Sequence, residues 1–431
     1  MSPNVNTMLR SLVTKAWNNL MKDKASSVIN ILGLTIGITC CLFLFIYILD
    51  ELSYDRYHKD AENIYRVVSN IKEPDNEYTW AVAQIPLGEE LQEFYPEVKN
   101  AVRFFSTGPT QFRIANHSYT EDEFYLADSS VFDMFSYEFM KGDPSQSLAK
   151  PYSVVLTETI ARKYFGTPAN AMYKFLENSQ GENFLVTGVM KDVPSNSHFR
   201  FDALISRNTR PDLKGGWGNF GVLTYVQLAD DCDLGKVIRN LDALIKQKVQ
   251  PLFNEFNMSI SYKLQRITDI HGQSGLADNA VASDKYIILY VFGGIGVSFL
   301  VFVLFNYLKL ANVRSSMLSK EAALQKSFNA KLPLLLLEFF TESLVIAIIA
   351  MTLSVILTTA LLPVFNNLTH KELEIFHLFK TPVLAALGTI VLLSGIIGCS
   401  YPALYLTGIR ERLRNKGNES LFPKDILVKQ F

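Results

Sequence analysis

The sequence predicts a membrane protein with four transmembrane α-helices and a large α+β extracytoplasmic domain between the first and second helices. Three observations carry that prediction. Only 19% of the 431 residues are charged, against about 25% in an ordinary soluble protein. The apolar residues gather in four runs free of Asp, Glu, Lys and Arg: Ser27–Leu49, Tyr286–Leu308, Leu344–Leu362 and Val383–Tyr401. Each approaches the ~20 helical residues that cross a ~30 Å hydrocarbon layer, where a helix satisfies every backbone polar group internally. The charge lies mostly between the first two runs, where residues 50–285 hold 33 of the 42 acids and 24 of the 41 bases.

Taken in order, residues 1–26 read as a cytoplasmic segment. Within it Leu9, Leu12, Val13, Ala16, Trp17, Leu20 and Met21 recur at helical spacing, with Arg10, Lys15 and Lys22 mostly off that stripe. This predicts an amphipathic helix at the membrane interface, with Trp17 at headgroup level. Residues 27–49 form the first span; the run is too long for a signal peptide's apolar core, and no small-residue cleavage pattern follows it. Residues 286–310, 332–362 and 382–404 form the other spans. A cytoplasmic loop (311–331), a short outer loop (363–381) and a cytoplasmic tail (405–431) complete the membrane part. Lys and Arg predominate before the first span, between the second and third, and after the fourth. That distribution places both termini in the cytoplasm and residues 50–285 outside.

The outer domain alternates strand-like and helix-like stretches. Residues 63–71 and 101–105 read as strands around a helix over Pro86–Tyr95. Residues 223–228 and 259–267 read as strands around a helical stripe from Leu234 to Ile245. Two β-α-β units result, with a further module inserted at about 116–215 that holds strands near 152–157, 183–192 and 201–207 and a helix over 158–166.

Composition and motifs exclude several functions. A net charge of −1 gives no bulk basicity for binding nucleic acid. No G-x-x-x-x-G-K-[ST] loop, H-E-x-x-H pair, clustered Cys/His ligand set or G-x-S-x-G elbow occurs in the sequence, so neither an enzyme nor a metal site is expected. Cys232 is the single cysteine of the outer segment, so no disulfide is expected within it. Two candidate sites lie in the membrane part. Gly33 and Gly37 form a small-xxx-small pattern suited to close helix packing. Glu338 and Glu342 share one helix face at the entry of the third span, with Lys326 or Lys331 as expected partners.

Several stretches together resemble the MacB/FtsX-type permeases of ABC transporters. They are DELSYDRYHKDAENIYRV after the first span, PEVKNAVRF, SVVLTETIARKYFG, VTGVMKDVPSNSHFRFDALIS, WGNFGVLTYVQL, KEAALQKSFNAKLPLLLLEFFTES and SYPALYL. The resemblance covers nearly the whole chain. It implies a Porter-like outer domain interrupted by an inserted module. It also implies a permease in the bacterial cytoplasmic (inner) membrane that works as a dimer, or with a second permease half. Such a subunit carries no cofactor of its own, ATP being bound by a partner P-loop subunit, and a periplasmic or outer-membrane partner is possible. In this family ATP-driven motion passes to the outer domain for export or extraction of peptides, macrolide-type drugs or lipoproteins. The alternative is a signalling or scaffold protein of the FtsX type that binds a periplasmic partner without transport.

The ATPase-coupling segment is implied at Lys320, Glu321 and Lys326. It departs from the family there, with Ala322 and Ala323 and the run Ser327–Ala330 standing where glycines are usual. After KYFG, Met172-Tyr173-Lys174 replaces the usual Gly-Lys. Many relatives are built from two such halves in tandem, so the chain is expected to be a half-size subunit or part of a longer permease.

Overall fold

Between Lys24 and Asp50 no side chain carries charge, and this stretch folds as one helix. In the computed structural model the described residues are 5–22, 24–114, 117–272, 287, 289–299, 301, 332–374, 379 and 381–406. They divide into two compact units, Met1–Leu49 with Leu289–Phe431, and Asp50–Ile288.

The first unit contains α1 (Val5–Lys22) and α2 (Lys24–Glu51). The later apolar helix Leu289–Phe299 (α11 in chain order), α12 (Leu332–Thr369) and α13 (Thr381–Leu406) belong to the same unit. Two described helices are long and apolar enough to cross a membrane, α2 and the Leu337–Thr369 part of α12. Leu289–Phe299 and Thr381–Leu393 are shorter apolar stretches. Leu34, Ile38 and Leu42 of α2 pack with Ile346 and Ala350 of α12 and Val383 and Leu387 of α13. Further along, Ile46 packs with Leu362, and Phe43 stacks on Phe365 at 4.6 Å. Contacts on the two helices advance together, so α2 and α12 run parallel. The buried face of α12 is lined by small and hydroxyl residues, Ser343, Ala347, Ala350, Ser354 and Thr358, which let backbones approach. Ser354 Oγ donates to the Thr35 carbonyl at 2.9 Å, and Thr35 Oγ1 to the Ala350 carbonyl at 3.4 Å.

The second unit is built on one continuous sheet. Its first strands are β1 (Ile64–Lys72), β2 (Glu77–Trp80) and β3 (Ala83–Gln84), followed by α3 (Leu87–Phe94) and β4 (Val98–Ser106). β5 (Thr110–Ile114), β6 (His117–Glu121), β7 (Phe124–Ala127), α4 (Val131–Met134), β8 (Phe139–Lys141) and α5 (Pro144–Ser147) come next. Then follow β9 (Ser153–Thr157), α6 (Glu158–Phe165), α7 (Pro168–Ala171), β10 (Phe175–Asn178), β11 (Asn183–Met190) and β12 (Ala203–Ser206). β13 (Phe220–Leu228), α8 (Leu234–Leu244), α9 (Gln250–Phe253), β14 (Ser259–Arg266) and α10 (Ile267–Ile270) close the unit.

The strand order is β14-β1-β13-β4-β7-β12-β9-β11-β10-β5-β6. The first four strands carry the two β-α-β units, β1-α3-β4 and β13-α8-β14. β13 pairs antiparallel with both β1 and β4, and β1 pairs antiparallel with both β13 and β14. The two strands of each unit are therefore parallel but not adjacent, each pair separated by a strand of the other unit. This interleaved order is the ferredoxin-like split β-α-β arrangement. The inserted strands continue the same sheet, because β7 pairs with β4 through Phe104–Ala127 and Phe105–Leu126.

Three apolar cores follow. Leu87 and Leu91 of α3 and Val237, Leu241 and Leu244 of α8 cover one face of the first four strands against Tyr65, Val67 and Val226. Phe104, Tyr225, Met134, Phe135, Phe199 and Phe201 fill a second core. Ile160 and Tyr164 of α6 cover Val154, Leu156, Val186 and Ile205 of the inserted strands. Local signals set the helix ends: Asp233 accepts from the Gly235 N–H at the start of α8, and Gly166, at φ +77°, ends α6.

Two glycines meet different demands. Gly142 has φ +94°, and a Cβ there would sit 2.6 Å from the Thr187 carbonyl oxygen. Gly181, at φ +80°, has open space around that position. Gly181→Ala is expected to cost about 1 kcal/mol of backbone strain. Gly142→Ala adds a backbone clash and should cost clearly more. Thermal unfolding of the purified chain checks this: equal shifts for the two variants would contradict the close approach of β8 and β11.

Candidate functional site

The second unit begins with the residues that leave α2. Asp55 follows at φ +58°, a left-handed conformation that Asp and Asn tolerate better than most residues. Its side chain is fully buried, and an unpaired carboxylate there would be very costly. The loop from Val193 to Phe199 supplies the partners. The Ser197 hydroxyl donates to Asp55 Oδ1 at 3.1 Å, and the His198 N–H reaches both carboxylate oxygens at 3.2 and 3.3 Å. His198 Nδ1 lies 2.9 Å from Oδ1, off the hydrogen-bonding line. The Asp55 N–H donates to the Asn196 carbonyl at 3.0 Å, and Asn196 Nδ2 donates to Ser53 Oγ at 2.9 Å. Tyr57 donates to Ser197 Oγ at 3.1 Å.

The chain of contacts continues into the sheet. His198 Nε2 is 2.7 Å from the Tyr225 hydroxyl of β13. Tyr225, Arg66 and Gln265 stand in register across β13, β1 and β14. Arg66 donates to Gln265 Oε1 at 2.7 Å. Burial, first of all, pushes the Tyr225 and Tyr57 hydroxyls well above the ordinary tyrosine range, so both stay protonated donors. A buried polar latch thus fastens the segment after α2 to the loop following β11 and to the ferredoxin-like strands. Its residues come from two of the sequence runs that carry the family resemblance, DELSYDRYHKD and DVPSNSHF, joined by Tyr225 from a third. Nothing in composition or spacing marked Asp55 or His198, since neither belongs to a ligand or catalytic pattern. Their meeting is a product of the fold.

A second junction uses Arg103 of β4. Its guanidinium donates to both oxygens of Asp128 at 2.9 Å, to Glu89 of α3 at 2.7 Å and to the Ile85 carbonyl at 3.0 Å. Burial opposes its charge, and the Asp128 and Glu89 carboxylates outweigh that, so Arg103 is held above its usual pKa. The unit's first residues also meet the turn after α10: His271 Nε2 is 2.7 Å from Glu51, and the His271 ring stacks on Tyr54 at 3.4 Å.

In the first unit, Glu338 pairs with Lys15 of α1 at 2.6 Å, and Glu342 accepts from Asn19 at 3.3 Å. The amphipathic helix therefore supplies partners near the start of α12, while Lys326 and Lys331, expected there, lie outside the described residues. Gly37 is buried and Gly33 half-buried, on a helix whose Leu34 and Ile38 pack against the chain's own α12 and α13. Lys320 and Glu321 also lie outside the described residues. No cluster of three or more His, Cys, Asp or Glu suited to a metal occurs among the described residues.

This geometry describes a protein whose α+β unit is set into the chain between apolar helices. Residues 27–244 match the MacB-like periplasmic core domain family, and the chain belongs to that family, the MacB/FtsX-type permeases. Three solved structures are similar. A domain of a putative permease from Porphyromonas gingivalis has 20% identity and TM-score 0.45, covering 54% of this chain and 98% of its own. The periplasmic region of MacB from Actinobacillus actinomycetemcomitans has 17% identity and TM-score 0.34, covering 46% and 88%. The extracellular domain of the noncanonic ABC-type transporter YknZ from Gram-positive bacteria has 14% identity and TM-score 0.32, covering 47% and 100%. No curated protein matches the sequence.

Two outcomes follow for the latch. Asp55→Ala strands His198 and Ser197 and places alanine at positive φ, and should cost about 3–5 kcal/mol of outer-unit stability. Asp55→Asn keeps the shape and the left-handed preference and should cost less. Denaturant unfolding compares them, and equal losses would contradict the latch. The second outcome concerns His58, buried against Phe135 and Tyr137, whose Nδ1 accepts from the Ser136 N–H at 3.1 Å. Burial lowers its pKa to about 4, with His198 adding to the fall and Asp55 opposing it. The unfolded chain binds this proton near pH 6.5 and the folded chain does not. Stability is therefore full above that pH and lost as pH falls from 6.5 toward 4, by about 3 kcal/mol. In His58→Gln that acid loss should be shallower; an unchanged pH profile of the melting temperature would contradict the assignment.

Proposed function

We propose that the chain is the membrane-spanning subunit of an ABC transporter in a bacterial cytoplasmic membrane. It passes ATP-driven motion from a partner ATP-binding subunit to its periplasmic unit, for export or extraction of peptide, drug or lipoprotein cargo. The chain crosses the membrane four times, with both termini cytoplasmic and Asp50–Ile288 outside. Parallel packing of α2 and α12 supports this topology, since two spans entering from one side require the chain to cross back between them. The basic flanks of the apolar runs favour the same orientation.

The observation that carries the reading is the clamp of Glu51 and Tyr54 on His271. It ties the first residues of the outer unit to the turn after α10, so displacement of the chain at that turn or at the end of α2 enters the unit at one place. The latch behind it and the Arg103–Asp128–Glu89 junction then spread that displacement across one sheet. Transport through a permanent pore in the outer unit would need none of these junctions.

Lys320, Glu321 and Lys326 would meet the ATPase. Purified from its native membrane, the chain should bring with it a P-loop ATPase whose turnover it stimulates. Combined Lys320→Glu and Glu321→Lys should lower that stimulation severalfold. Stimulation unchanged by the double reversal would remove the coupling assignment, and absence of any ATPase would favour the signalling or scaffold role.

A further inference from the structure

Helix α1 carries two apolar stripes, and its contacts with α12 use one of them. Leu12, Ala16 and Leu20 recur every fourth residue and are buried, and Leu20 belongs to the core formed with α2, α12 and α13. Val13, Trp17 and Met21 recur at the same spacing about 100° round the helix and are exposed, Trp17 by 53%. Residues 1–49 contain four bases, Arg10, Lys15, Lys22 and Lys24, and a single acid, Asp23. Lys15 is held by Glu338. Arg10, Lys22 and Lys24 are exposed, Arg10 extending the open stripe toward the N-terminus and the two lysines standing past its other end.

The depth of this stripe follows from its partners. No charged residue occurs between Glu342 and Lys371, or between Lys24 and Asp50, so Glu342 and Lys24 mark where the apolar lengths of α12 and α2 begin. Asn19 bonds to Glu342 and Lys15 to Glu338 one turn earlier. The second half of α1 is thereby fixed level with that boundary, within a turn or two of ~5.4 Å each. An exposed Trp between aliphatic neighbours, with bases at both ends, matches the headgroup layer of a bilayer in chemistry and in depth.

We propose that the Val13–Trp17–Met21 stripe seats in the headgroup layer and that Arg10, Lys22 and Lys24 select anionic phospholipid there. Lys15 and Asn19 link that seat to Glu338 and Glu342 at the entry of α12, so the lipid surface bears on the third span. The inference rests on reading α2 and α12 as membrane spans.

The test uses the full chain in phosphatidylcholine nanodiscs, with Trp80→Phe and Trp217→Phe leaving Trp17 as the single tryptophan, excited at the red edge where tyrosine does not absorb. The probe is a minor fraction of brominated lipid, either phosphatidylglycerol or phosphatidylcholine. Brominated phosphatidylglycerol should quench Trp17 more strongly at equal mole fraction. Each basic side chain near an anionic surface changes local lipid enrichment by roughly fivefold at most. The triple variant Arg10→Gln, Lys22→Gln, Lys24→Gln should therefore bring the two lipids to equal quenching while keeping Trp17 quenched.

Equal quenching by both lipids in the unsubstituted chain would overturn the selectivity. Absence of quenching by either would overturn the seat and assign the stripe to a second copy or another protein. A chain that fails to enter nanodiscs at all would instead contradict the spans themselves.

Discussion

A fully buried carboxylate must find its hydrogen bonds within the protein, and Asp55 finds them in a loop about 140 residues away. That demand shapes the outer unit. The loop after β11 has to return to the point where the chain leaves α2, and His198 has to stand between Asp55 and Tyr225. Isolated surface ion pairs such as Arg239–Asp233 contribute little. The latch differs because its central side chains, Asp55, Ser197, His198 and Tyr225, are buried, and each would be stranded by loss of its neighbour. A polar chain reaching from two loops into the sheet joins the inserted module to the ferredoxin-like half, in addition to the shared sheet.

The membrane unit obeys a different constraint. In lipid, apolar side chains gain little by leaving one hydrocarbon for another, so helix association depends on close packing and hydrogen bonds. The small and hydroxyl face of α12 meets that need, with Ser354 and Thr35 bonding across to backbone carbonyls. At the polar end, Glu338 and Glu342 turn to α1, which places the amphipathic helix beside α12 and gives two costly acids their partners.

Much of this was legible in the sequence where local signals and packing agree. The strand-like stretch NIYRVVSNI, the proline at the start of PLGEELQEFY and the stripe from Leu234 to Ile245 mark elements found at Ile64–Lys72, Leu87–Phe94 and Leu234–Leu244. Period alone could not show that the strands of each β-α-β unit are separated by a strand of the other, because strand order is a long-range choice. The same limit hid the latch: Asp55 and His198 become a pair only when β11 and the loop after it lie beside the residues leaving α2. Glu338 and Glu342 were visible as costly acids, but their partners came from a helix more than 300 residues earlier. The interface stripe on α1 was readable as one amphipathic face, and the structure divides it into a packed half and an open half.

The central claim is that the residues leaving α2, the loop after β11 and β13 form one cooperative body. Hydrogen exchange of the full chain in native conditions measures this directly. The N–H groups of Asp55 and His198, each held in the latch, should exchange as slowly as those of Tyr225 and Val226 in β13 and open with them in a single step. Exchange of Asp55 and His198 many times faster than β13, through a separate local opening, would show that the latch fastens nothing.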